Sequence, residues 1–118
     1  MDSQPKDFLG PWEGTWTSQG SGHQGRLRCL LESIPNKPEQ FRFRYQAQWA
    51  VLIGNFTTEF TIKTKPKSTE GVISGDFDLG LLGGVYHHEG TISPQKFRAT
   101  YKCDYDHGIF ELTRPKGN

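Results

Sequence analysis

The chain has 118 residues, of which 33% are hydrophobic and 13% aromatic, so a single core rich in aromatic side chains is expected. The 14 basic and 13 acidic residues give a net charge of +1, which excludes a long-range field that would attract nucleic acid or a membrane surface. No apolar run approaches the roughly 20 residues of a membrane helix, and the first residues do not resemble a signal peptide. We therefore expect a cytoplasmic protein with neither a nucleic-acid nor a membrane partner.

Residues 1–7 are polar and predict a flexible N-terminal segment, followed by one β-barrel domain over residues 8–118. The strongest pattern in that domain is the unbroken alternation from Phe41 to Trp49, which places five apolar side chains on one face and Arg42, Arg44 and two glutamines on the other. Period two is typical of a half-buried strand. A slip of one residue would bury both arginines, so the pattern also specifies the register.

The same alternation predicts seven further strands, separated by turns rich in glycine, proline, asparagine and serine. Because no segment has the 3.6-residue period of a helix, the predicted fold class is all-β, an eight-stranded antiparallel up-and-down barrel whose closure removes the sheet edges. Reversals are expected at residues 35–38, around Gly54 and Asn55, and at residues 81–84. The eight strands are expected at residues 8–18, 25–33, 41–49, 56–63, 71–79, 85–92, 97–105 and 110–114.

The positions of the aromatic residues within these strands place every ring except that of Phe8 on the inward face. An eight-stranded barrel is just wide enough either to be filled by its own side chains or to hold one small ligand. The many rings favour a filled interior, whereas small inward residues such as Gly75, Gly90 and Ala99 favour a cavity at one end. Both interpretations stay open on the sequence alone.

Gly14-Thr15-Trp16 at the start of this meander resembles the Gly-x-Trp motif that opens the first strand of the calycins, the superfamily of lipocalins, fatty-acid-binding proteins and avidins. Gly10-Pro11-Trp12 repeats the spacing, and Arg114 lies where lipocalins carry an arginine that packs across the tryptophan. The Thr-Asp-Tyr signature of lipocalins and the biotin-site pattern of avidins are absent. The resemblance implies a calycin-like barrel whose mouth can bind a small apolar molecule, and it implies these barrel-closing residues: Trp12, Trp16 and Arg114.

The predicted function is the binding of a small hydrophobic or aromatic molecule in the mouth of the barrel, with a few polar groups to orient it. One alternative is a non-catalytic interaction protein with a filled barrel, and another is an isomerase or cyclase that uses interior tyrosine and histidine groups. No nucleotide, hydrolase or zinc motif is present, so no cofactor is expected. The protein is expected to be a monomer or homodimer. The expected ligand-binding residues are Tyr45, Trp49, Phe60, Phe77, Tyr86, His88, Tyr101 and Tyr105.

The remaining reactive residues have structural interpretations. Neighbouring residues of a strand point to opposite faces, so His87, His88 and Glu89 cannot converge on a metal ion, and His88 is expected to be a hydrogen-bonded core residue. Cys29 and Cys103 are expected to be buried, reduced thiols, with a disulfide as the alternative. Outward charges are expected to be solvated: the carboxylate pairs Asp76 with Asp78 and Asp104 with Asp106, and a basic stripe of Arg26, Arg28, Arg42 and Arg44.

Overall fold

A computed structural model describes residues 5–49, 52–64, 70–78, 85–104 and 106–115, apart from the side chains of residues 5, 6, 49, 52 and 78. No helix in this part of the chain is long and apolar enough to cross a membrane. A short 3-10 helix, Pro5–Phe8, is followed by eight strands: β1 (Gly10–Ser18), β2 (Gln24–Ile34), β3 (Lys37–Trp49), β4 (Leu52–Thr64), β5 (Gly71–Asp78), β6 (Val85–Ile92), β7 (Lys96–Lys102) and β8 (His107–Thr113).

The strands form one closed barrel in which each pairs with its neighbours in the sequence, and β8 returns to pair with β1. All the pairs are antiparallel, and at the closure Gly14 lies opposite Leu112 and Trp16 opposite Phe110. The predicted all-β up-and-down barrel of eight strands is confirmed, and it has the architecture that the calycin resemblance implied. Closure leaves none of the strands as an unpaired edge.

The alternation along β3 separates the core from the solvent as predicted. Phe43 is fully buried and Tyr45 is 2% exposed, whereas Arg44 between them lies on the surface. The same pattern recurs on β7, where Phe97 and Ala99 are buried and Arg98 between them is exposed. The buried faces of the strands meet in one core, because the strands curve around a shared interior.

Several strand boundaries differ from the prediction. The expected reversal at Gly54 and Asn55 is wrong, because both residues lie within β4 and pair with Ala47 and Gln46 of β3. Glycine and asparagine favour turns, but here the cross-strand ladder overrides that local preference. The strand predicted up to residue 105 ends at Lys102, so Cys103 belongs to the connection with β8. The predicted turn at residues 81–84 and Leu79 lie outside the described residues.

Two glycines let neighbouring strands approach closely. A Cβ atom at Gly14 would lie 1.8 Å from the backbone oxygen of Glu111, and a Cβ atom at Gly90 would lie 2.3 Å from the backbone oxygen of Arg98. Neither contact can be relieved by rotating a side chain, because the atom in the way belongs to the backbone. Glycine at these positions therefore shapes the seams between β1 and β8 and between β6 and β7.

Phe8 was expected to be the one aromatic residue outside the core, and this expectation is wrong. Its side chain is 0% exposed, and its carbonyl oxygen accepts a 2.9 Å hydrogen bond from the Trp12 indole. The 3-10 helix brings it there: residues 5–7, predicted to be part of the flexible segment, turn Phe8 back over the end of the barrel. The predicted first strand began at Phe8, whereas β1 begins at Gly10, so Phe8 enters the core from the 3-10 helix and not as a strand residue.

Candidate functional site

The two ends of the barrel are built differently. At the end that carries Phe8, here called the closed end, the Arg114 guanidinium carbon lies 3.9 Å from the centroid of the Trp12 ring. The same guanidinium donates hydrogen bonds to the backbone oxygens of Pro94 at 3.0 Å, Pro11 at 3.0 Å and Asp7 at 2.7 Å. A planar group with several donors can make a stack and three hydrogen bonds at once, which an ammonium cannot. Arg114 thus joins four separate parts of the chain.

The residues expected to close the barrel do not all meet. Trp16 lies four residues beyond Trp12 on β1, toward the opposite end, where its indole donates a 2.9 Å hydrogen bond to the backbone oxygen of Gln48. Successive inward positions on a strand are almost 7 Å apart, and Trp16 is two such steps from Trp12, roughly 13 Å along β1. The structure therefore brings Trp12 and Arg114 together and places Trp16 elsewhere.

Toward the opposite end, here called the mouth, aromatic side chains surround the interior. Six rings, one from each of the strands β3 to β8, form a circuit in which each centroid is 5.0 to 5.9 Å from the next. These spacings are within the range of favourable aromatic pairs. We call this set the aromatic girdle; in order around the barrel its members are Tyr45, Phe56, Phe77, Tyr86, Tyr101 and Phe110.

The girdle is buried on one side and accessible on the other. Tyr45, Tyr101 and Phe110 are at most 7% exposed, whereas Phe56 and Phe77 are half-buried, as is Tyr86. The three accessible rings are nearly parallel, with interplanar angles of 16° between Phe56 and Phe77 and 11° between Phe77 and Tyr86. Strands β4, β5 and β6 thus present a continuous stack of aromatic faces at the mouth.

His88 lies in the next layer toward the closed end, stacked on Phe60 at a centroid distance of 4.6 Å. Its Nε2 atom and the Tyr45 hydroxyl are hydrogen-bonded at 3.1 Å, and the side chain is 0% exposed. Nδ1 is buried without a hydrogen-bond partner among the described residues. Burial lowers the pKa of His88 to about 4, and an interaction with the backbone of Thr100 only partly opposes this shift. The imidazole is therefore neutral at pH 7.

The buried pair of Tyr45 and His88 has little capacity for acid–base chemistry in this conformation. Burial, with a smaller effect of nearby Cys29, raises the pKa of Tyr45 well above its ordinary value. A tyrosine that resists deprotonation and a histidine that resists protonation are poorly matched to proton transfer near pH 7. Both side chains are also buried, at 2% and 0% exposure, so neither reaches a molecule at the mouth unless rings move.

A polar cluster links two connections at the mouth. The Asp106 carboxylate accepts hydrogen bonds from the Ser18 hydroxyl at 2.7 Å and from the Tyr101 hydroxyl at 3.1 Å. Burial opposes ionisation of Asp106, but hydrogen bonds from Ser18, Tyr101 and the backbone of residues 20 and 107 outweigh it and lower the pKa. Asp106 was expected to be a solvated outward carboxylate, and this expectation is wrong. Ser18 lies 88 residues away, so no local pattern indicated the contact.

Among the three accessible rings of the girdle, Tyr86 is the one that carries a hydroxyl group. Burial, together with a hydrogen bond to the Cys103 side chain and the negative charge of Asp106, raises the pKa of Tyr86 to about 12. Cys103 itself is 8% exposed, and both it and Cys29 are free thiols in the structure. Tyr86 therefore stays protonated at pH 7, as a hydroxyl on the rim of the aromatic stack.

The expected ligand-binding residues fall into three groups. Four belong to the girdle, Phe60 and His88 form the layer beneath it, and the Trp49 side chain and Tyr105 lie outside the described part of the chain. Phe56 and Phe110 complete the girdle but were not expected at the site. Their inward direction was predictable, but their height in the barrel depends on how neighbouring strands are staggered.

The four arginines of the expected basic stripe lie on the outer faces of β2 and β3, but uncharged and acidic residues are interspersed with them. Arg28 lies opposite Gln46, and Arg44 lies opposite Leu30. Arg44 forms a 2.6 Å ion pair with Glu32, and Arg42 lies 3.7 Å from Glu59. An open groove does cross strands β1 to β4, and its outward-facing lining comes from exposed side chains such as Leu30 and Arg44. This exposed lining does not enclose a molecule as the walls of a specific pocket do.

His87, on the outer face of β6, is paired with an acidic residue of the neighbouring strand. His87 Nδ1 lies 2.7 Å from an Asp76 carboxylate oxygen, and both side chains are more than half exposed. An exposed pair of this kind contributes little to stability. Among the described residues, no group of three or more His, Cys, Asp or Glu side chains is arranged to hold a metal ion.

A scan against protein-family models finds no match to this sequence, and a search of curated proteins finds none either. Among solved structures, the crystal structure of Echinococcus granulosus fatty-acid-binding protein 1 matches with a TM-score of 0.49 and 14% sequence identity. The match covers 94% of this chain and 99% of that chain. The similarity is too low for the roles of individual residues to be transferred.

Proposed function

We propose that the protein binds a small, flat, apolar molecule at the mouth of the barrel, against the accessible rings of Phe56, Phe77 and Tyr86. One observation carries the proposal: these rings are nearly parallel, partly exposed and contributed by three adjacent strands. A ligand ring that continues this stack gains aromatic contacts while it removes apolar surface from water. The Tyr86 hydroxyl at the rim supplies a hydrogen-bonding group that orients the ligand.

The packing beneath the girdle sets the depth of the site. Phe60 and His88, in the layer beneath it, are at most 1% exposed, so this layer is closed to solvent. A ligand therefore rests on the girdle rather than deep in the barrel. This geometry favours molecules of one or two fused rings over long chains, because a long chain needs an empty interior.

The packed layer also supports a second candidate function. A barrel whose lower interior is filled by Phe43, Phe60 and His88 can serve as a rigid scaffold that presents its surface to another protein. In that case the accessible rings only complete the packing of a filled core, and no small molecule binds at the mouth of the barrel. The two functions differ in whether small aromatic probes saturate the mouth.

Isothermal titration calorimetry with 2-naphthol, followed by aromatic-region NMR, tests the proposal. Phe77→Leu should weaken binding by roughly 2- to 10-fold, which corresponds to about 0.5–1.5 kcal/mol for a lost ring contact. Phe97→Leu is the matched control, because Phe97 is fully buried at the closed end, 5.7 Å from the Trp12 ring. It should lower stability and leave the affinity within twofold.

Two results would count against the proposal. If folded protein shows no saturable binding to 2-naphthol or to related fused-ring probes, the filled-scaffold function is favoured. If binding occurs but Phe97→Leu weakens it more than Phe77→Leu does, the ligand lies at the wrong end of the barrel for the proposed site.

A further inference from the structure

Resting on the function proposed above, we infer that the mouth selects uncharged aromatic molecules and excludes anionic ones, with Asp106 as the residue that sets this preference. The inference concerns the chemical class of the ligand rather than its shape. It follows from which charges the described residues place near the girdle and which they do not.

Among the described residues, the interior offers no positive charge to an anion. On the described strands, the inward positions carry neither lysine nor arginine, and His88 is the one titratable nitrogen among the buried side chains. Because burial keeps His88 neutral at pH 7, it does not serve as a counter-ion. Arg114 lies at the closed end, where three backbone oxygens and the Trp12 ring occupy its guanidinium.

The rim of the mouth carries a negative charge instead. Asp106 is held in its ionised form by hydrogen bonds, two of which come from Ser18 and Tyr101. Tyr101 belongs to the girdle, and its ring centroid is 5.9 Å from that of Tyr86, so the carboxylate lies close to the accessible stack. Lys102, the neighbouring cation on β7, is exposed on the outer face of the barrel.

A carboxylate ligand would thus lose hydration on the aromatic stack without gaining a cation, and it would also be repelled by Asp106. A hydroxyl-bearing ring avoids both costs and can hydrogen-bond to Tyr86.

The test compares 2-naphthol with 2-naphthoate at pH 7.5, where the first is uncharged and the second is an anion of similar shape. We expect wild-type protein to bind naphthol at least tenfold more tightly than naphthoate. Asp106→Asn, which keeps the shape and removes the charge, should narrow this ratio at least threefold. Asp104→Asn is the matched control, because Asp104 is an exposed carboxylate in the same connection, and it should leave the ratio within twofold.

The possible failures are distinguishable. Naphthoate binding as tightly as naphthol overturns the inference and leaves the proposed function standing. If the ratio of the affinities for naphthol and naphthoate is the same in Asp106→Asn and in the wild type, the role of Asp106 is overturned. If circular dichroism shows folded protein and neither probe binds, the proposed function fails and the inference fails with it.

Discussion

The neutral, buried state of His88 predicts that the protein loses stability in mildly acidic solution. Above pH 6.5 the imidazole is neutral in both the folded and the unfolded chain, so it has no effect on the pH dependence. Below pH 6.5 the unfolded chain takes up a proton that the folded protein, whose His88 has a pKa of about 4, does not bind. Protonation then favours unfolding, and the loss levels off below about pH 4.

The size of the effect follows from the shift. Each pKa unit corresponds to 1.36 kcal/mol, so lowering the pKa from 6.5 to about 4 predicts a total loss of about 3 kcal/mol. About 2 kcal/mol of this should appear between pH 6.5 and pH 4.5. His88 is 0% exposed, so solvent screening does not reduce the figure. For a small domain stable by roughly 5–15 kcal/mol, this is a large fraction of the total.

Urea unfolding at a series of pH values measures the loss directly. His88→Gln keeps an amide near the position of Nε2, which can still hydrogen-bond to Tyr45, and removes the titration; its stability should fall much less between pH 6.5 and pH 4.5. His87→Gln, the same exchange on the exposed neighbour, should keep the wild-type slope. The reasoning is refuted if His88→Gln and wild type lose stability equally over this interval. Asp106 does not interfere, because its lowered pKa places its contribution below about pH 4.

Three further outcomes are expected. Arg114→Lys should lower the free energy of unfolding by about 1–2 kcal/mol, because lysine cannot stack on Trp12 and hydrogen-bond to three backbone oxygens at once. Arg98→Ala, on the outer face of β7, should change it by no more than about 0.5 kcal/mol, and a larger loss at Arg98 than at Arg114 would contradict the prediction. Gly14→Ala should be strongly destabilising in thermal unfolding, whereas Gly54→Ala, where a Cβ atom meets nothing within 4 Å, should be nearly neutral. Cys29, whose thiol pKa is raised by burial, should react with a thiol reagent only after unfolding, and rapid native labelling would contradict its inward position.

The candidate site was partly predictable. The inward direction of Tyr45, Phe77 and Tyr86 followed from the alternation of apolar and polar residues alone, because successive side chains of a strand point to opposite faces whatever the strand packs against. The alternation does not predict which inward residues of different strands lie at the same height along the barrel axis. That depends on the stagger between neighbouring strands, which is why Phe56 joins the girdle while Phe60, four residues along the same strand, packs beneath it on His88.

Local patterns in the sequence determined the fold class, the inward set and the direction in which Arg114 points, since each depends on period-two alternation and on the order of the strands. Contacts between distant segments were decided only by the tertiary structure. Ser18 reaches Asp106 across 88 residues, and Phe8 is buried because a helical turn folds it over Trp12. Such contacts form where barrel closure brings separate ends of the chain together, and the energy that selects them comes from packing in the shared interior rather than from neighbouring residues.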